Sequence, residues 1–113
     1  MISAGAARRA RLPDRRLVEI RRVAHRGAFG ERRFLVSIGY AADAPYAPRE
    51  IFLDGGFRSG AALEALLKDS AIAISLLLQH GAEPEVILER LGAGAPGGSM
   101  IAAMAAELAV APL

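Results

Sequence analysis

The segment Gly55-Gly56-Phe57-Arg58-Ser59-Gly60 has the form of an anion-binding turn, lying between a strand-like run and the start of a long helical pattern. Glycines let backbone N–H groups close on a phosphate, and a helix N-terminus favours negative charge. In that reading Gly55, Gly56 and Gly60 supply backbone donors, while Arg58 adds a charge and Ser59 a hydroxyl. The segment matches neither the P-loop nor the dinucleotide fingerprint, and glycines at such a position also serve simply to turn the chain. Asp54 at the strand end and Asp69 within the helix are the most suggestive carboxylates. A buried Asp69 would need an arginine or backbone N–H partner, and a structural role is the simpler reading of both. His25 precedes a turn and His80 closes a helix, places that suit surface or capping residues. No Ser-His-Asp order, paired-glutamate spacing or metal motif is present. No catalytic residue, metal or cofactor is therefore expected.

The chain contains no cysteine. That excludes a thiol nucleophile, Cys-ligated zinc, an iron–sulfur cluster, a disulfide scaffold and dithiol redox chemistry carried by this polypeptide. Charge is distributed unevenly. Residues 1–33 hold ten arginines against Asp14, Glu19 and Glu31, a local charge of +7, whereas residues 34–113 carry −5. The clusters Arg15/Arg16, Arg21/Arg22 and Arg32/Arg33 would form a positive surface able to attract the phosphates of a nucleotide or a nucleic acid. The plainer alternative is biased composition, since thirteen arginines accompany one lysine, with these residues solvating a leader and a hairpin. Aromatic residues are only 5%, and Phe29 is the one obvious candidate for stacking on a base.

The elements that must position these groups follow from periodicity. Residues 1–12 lack apolar periodicity and read as a flexible basic leader, with residues 13–113 as one domain, the size a chain of 113 residues supports. Leu17–Val23 is β-like, Val18 and Ile20 alternating against Glu19 and Arg21. Gly27 and Gly30 supply a hairpin. In Arg33–Tyr40 the residues Phe34, Val36, Ile38 and Tyr40 share a face. After a proline-containing loop, Arg49–Asp54 forms a third strand with Ile51 and Leu53 opposite Glu50 and Phe52. Ala61–His80 is a long helix with Leu63, Leu66, Leu67, Ala71, Ile74, Leu77 and Leu78 at helical spacing and a narrow polar stripe of Glu64, Lys68, Ser75 and Gln79. Gly81 suits its C-terminal cap. Pro84–Leu91 forms a short helix, and Ser99 caps a last one reaching about Val110. The fold class is α+β: a three-stranded antiparallel sheet followed by a long central helix and two shorter helices.

The run Glu50-Ile51-Phe52-Leu53-Asp54-Gly55-Gly56, then Gly60-Ala61-Ala62-Leu63-Glu64-Ala65-Leu66, then Ala71-Ile72-Ala73-Ile74-Ser75-Leu76-Leu77-Leu78-Gln79-His80-Gly81, resembles the TSCPD domain. That domain occurs near the C-terminus of vitamin B12-dependent (class II) ribonucleotide reductases. Leu12–Arg16 looks like the family's entry segment and Glu83–Leu91 like the helix that follows. The reductases' cysteines have no counterpart here, so ribonucleotide reduction by this polypeptide alone is chemically excluded. The resemblance implies a free-standing accessory or regulatory module related to deoxyribonucleotide synthesis, acting by binding a reductase subunit, a nucleotide or itself. A nucleic-acid-binding module using the arginine-rich hairpin and a structural homo-oligomer are the alternatives. The absence of a secretory pattern and of a long apolar run points to a cytoplasmic protein with no membrane partner.

Overall fold

Phe34, Val36, Ile38 and Tyr40 at every second position oblige one side of a strand to be apolar, and that side becomes the floor of the core. The computed structural model describes residues 18–27, 30–44, 46–55 and 61–110. Strands β1 (Val18–Gly27), β2 (Gly30–Tyr40) and β3 (Pro48–Gly55) precede helices α1 (Ala61–Gln79), α2 (Pro84–Leu91) and α3 (Met100–Ala106). The sheet is antiparallel in the order β1-β2-β3. Phe34, Val36, Ile38 and Tyr40 of β2 and Ile51 of β3 are buried against Leu67, Ala71, Ile74 and Leu78 of α1, Ile87 of α2 and Met104 and Ala105 of α3. Burial of each large aliphatic or aromatic side chain in this cluster contributes roughly 1.5–3 kcal/mol.

β1 has the opposite phase from the one its first residues promise. Val18 and Ile20 are 50% and 63% exposed, whereas Glu19 and Arg21 face the core side. The reason is register. Val23 pairs with Phe34 and Arg21 with Val36, so odd-numbered positions share the buried face of β2. A strand's face is set by its partner, and a shift of one residue would have turned Val23 outward.

α1 lies along the outer edge of β3. Ser75 Oγ accepts from the Ile51 N–H at 2.8 Å and donates to the Ile51 carbonyl at 2.8 Å. One turn on, Gln79 Nε2 donates to the Arg49 carbonyl at 3.3 Å. Both side chains are buried. The expected polar stripe thus divides: Lys68 is solvated, while Ser75 and Gln79 satisfy strand-edge backbone groups that would otherwise be left bare. Leu66, Ile72, Leu76 and Leu77 of the same helix remain exposed.

The helix ends follow local chemistry. Gly81, at φ +98°, reverses the chain after α1, and the Ala82 N–H returns to the Leu77 carbonyl at 2.9 Å. Pro84 opens α2 and Gly92 closes it in the left-handed region. Ser99 Oγ accepts from the Ala102 N–H at 3.0 Å to cap α3. The last helix is shorter than its apolar spacing predicts. Its α-helical part stops at Ala106, and Glu107–Ala109 tighten into a 3-10 turn that buries Leu108.

Candidate functional site

Pairing in the hairpin gathers arginines that are distant in sequence. Arg22 and Arg26 stand two residues either side of Ala24, and Ala24 lies opposite Arg33. Arg33 is therefore diagonal to both, within reach of long side chains. All three are exposed, and all occupy the sheet face turned away from the helices. Glu31, opposite Arg26, meets Arg33 at 3.3 Å. That pair is solvent-exposed and worth at most about 1 kcal/mol, so a stronger anion can displace it. Residues 22–24 of β1 and 33–35 of β2 line a hollow of ≈ 460 Å³, within the size range of small-molecule sites. Arg22 and Arg33 are among its lining residues, and the planar donors of a guanidinium suit phosphate or carboxylate.

Of the other residues assigned to the positive surface, Arg32 is exposed opposite His25, and Arg15 and Arg16 lie outside the described residues. Arg21 does not belong to that surface. Its side chain is 10% exposed, because β1 turns odd-numbered positions inward. Its Nη2 donates to Glu19 Oε1 at 2.7 Å, to the Tyr40 hydroxyl oxygen at 3.0 Å and to the Val110 carbonyl at 3.2 Å. Glu107 is 3.7 Å from its Nη1. The Tyr40 hydroxyl in turn donates to Glu19 Oε1 at 3.3 Å. Burial alone would lower the Arg21 pKa. The hydrogen bond to Glu19, together with Tyr40 and the charges of Glu19 and Glu107, outweighs that and holds it above the ordinary value. This network pins the end of α3 to the first two strands, and its charges are committed internally.

Burial pushes the Tyr40 phenol above its ordinary value of 10.0, partly opposed by the positive charge of Arg21. The folded state thus keeps the phenol proton after the unfolded chain has begun to release it. The stabilisation is complete below the ordinary phenol range and is lost as pH rises through it towards the folded value. Thermal melts between pH 9 and 11 should show stability falling in the wild type, with a smaller fall in Tyr40→Phe. Equal slopes would contradict this assignment.

Of the anion-turn candidates, Gly55 closes β3 opposite Leu35. Gly56, Arg58, Ser59 and Gly60 lie outside the described residues, as does Phe29. Asp54 and Asp69 are exposed, and so is His80. His25 is half-buried, its Nε2 2.8 Å from the Gly98 carbonyl. A carbonyl only accepts, so Nε2 carries the proton and ties β1 to the loop before α3. Among the described residues no group of three or more His, Asp or Glu is placed to hold a metal ion. No helix among them is long and apolar enough to cross a membrane.

Sequence reasoning missed the Glu19–Arg21–Tyr40–Glu107 network and the diagonal arrangement of Arg22, Arg26 and Arg33. The available signal was Val23, an apolar side chain on the same strand face as Glu19 and Arg21, opposed by Val18 and Ile20 on the other.

With strand order, helix order and the 50–81 core in place, comparison with protein families decides the relationship. The TSCPD domain matches residues 7–111. The chain belongs to the TSCPD family. TSCPD domains are known from ribonucleotide reductases, and here the domain occupies nearly the whole chain. In this TSCPD protein the segment expected to carry the resemblance forms β3, α1 and the link to α2. No curated protein and no solved structure matches the chain.

Proposed function

We propose that this TSCPD protein is an accessory or regulatory module of deoxyribonucleotide synthesis that works by binding. Its ligand is anionic: a nucleotide, or an acidic segment of a ribonucleotide reductase subunit, held by the outward arginines of the β1–β2 hairpin. The supporting observation is the ≈ 460 Å³ hollow that Arg22 and Arg33 both line. Glu31, opposite Arg26, forms only an exposed ion pair with Arg33, which costs little to exchange for a ligand. Arg21, by contrast, is occupied within the fold and adds no charge to this outer face.

Two measurements on the purified protein test this. Nucleoside triphosphates should raise its melting temperature, or the immobilised protein should capture purified reductase subunits. Failure of both would sink the proposal. A second reading, nucleic-acid binding, is favoured by the clustering of Arg22, Arg26 and Arg33 on one face. Three phosphate contacts would give a plot of log affinity against log salt with a slope of roughly −3.

A further inference from the structure

An apolar groove runs between α1 and α2 on the side of α1 remote from β3. Leu77, Ala82, Val86, Ile87, Arg90 and Leu91 line much of its ≈ 450 Å³. Leu77 and Val86 are each 50% exposed. Apolar surface gathered in a concavity marks a contact region.

What covers it is written in the order of residues along one segment. Positions facing the groove recur at 82, 86–87 and 90–91, the spacing of one helix face, and position 83 falls on the same side. If a second copy of this segment is laid alongside in the reverse direction, the set maps onto itself. Ala82 then meets Leu91 and Glu83 meets Arg90, with the half-exposed Val86 of each copy near the two-fold axis, while Ile87 stays in the core of its own copy. Glu83, at the α2 N-cap, and Arg90, in its last turn, carry opposite charges at the two ends. Both are exposed, and neither has an ion-pair partner among the described residues. A two-fold interface demands this pattern, because whatever one patch presents must be met by the same patch turned end for end. Antiparallel α2 helices also bring opposite dipole ends together.

We propose that this face is a two-fold interface between two copies of the chain. In it α2 packs antiparallel to its mate across the groove, closed at both ends by a Glu83–Arg90 ion pair. The surface is separate from the arginine-lined hollow on the sheet, so its failure would leave the proposed function untouched.

Sedimentation equilibrium of the full chain at micromolar concentration should find a dimer. Glu83→Arg and Arg90→Glu should each weaken association by roughly tenfold or more, since each change creates two like-charge contacts in a symmetric interface. The double variant E83R/R90E should return it to within a few-fold of wild type. Both side chains are exposed, and circular dichroism will show the fold retained in every variant. A wild type that remains monomeric at micromolar concentration would overturn the proposal. So would a dimer indifferent to both single reversals.

Discussion

Ser75→Ala should cost this protein about 2–4 kcal/mol of stability, far more than loss of one surface hydroxyl. The hydroxyl serves as both acceptor and donor for Ile51, and Ser75 and Ile51 are both buried. Alanine would strand a backbone N–H and a C=O at once, each at about 1–3 kcal/mol. No rearrangement within the sheet can rescue them, since β2 already occupies the other side of β3. Urea unfolding should show the midpoint displaced with the slope unchanged, and native-state hydrogen exchange should show the Ile51 amide opening faster. Gln79→Ala, which removes one longer hydrogen bond of 3.3 Å, should cost less. A loss below about 0.5 kcal/mol in Ser75→Ala would mean that the strand edge is not held as described.

Arg21→Met should be comparably damaging, for a different reason. Glu19 is 13% exposed at its side chain and draws on Arg21 at 2.7 Å. Removing the guanidinium takes the donor at 2.7 Å from a mostly buried carboxylate, to which Tyr40 donates at the longer distance of 3.3 Å. Breaking one partner of a buried pair costs about 3–5 kcal/mol, and partial exposure reduces that here to about 2–4 kcal/mol. The companion variant E19Q/R21M removes both charges and should recover most of the loss. Chemical denaturation of the two singles and the double provides the cycle. Additive losses would show that the residues do not act as a unit.

The contrast between these two positions shows what a sequence can disclose. Contacts near in sequence were legible: alternation in Phe34–Tyr40, proline before α2, and Ser99 capping α3 all follow local rules that tertiary structure left intact. The apolar core face of α1 was legible as well, because Leu67, Ala71, Ile74 and Leu78 repeat at helical spacing. Features depending on which element lies alongside were not. Ser75 and Gln79 fit a solvated stripe until a strand edge is placed beside them. The phase of β1 was ambiguous in isolation, since Val18 and Ile20 pull one way and Val23 the other; pairing with β2 decides it. That decision moves Arg21 from the surface into a network whose members extend as far as Glu107, and it leaves Arg22 and Arg33 together on the open face. The candidate site was thus visible as an excess of arginine, while its geometry needed the register.

The central proposal is that Arg22 and Arg33 form a binding site for an anionic ligand. Its most direct test is an equilibrium titration of the purified protein with nucleoside triphosphates and with purified reductase subunits, wild type beside the double variant R22E/R33E. The account predicts saturable binding of at least one of these by the wild type, weakened by about tenfold or more in the variant, which corresponds to about 1.4 kcal/mol. Binding that survives both charge reversals undiminished would contradict it.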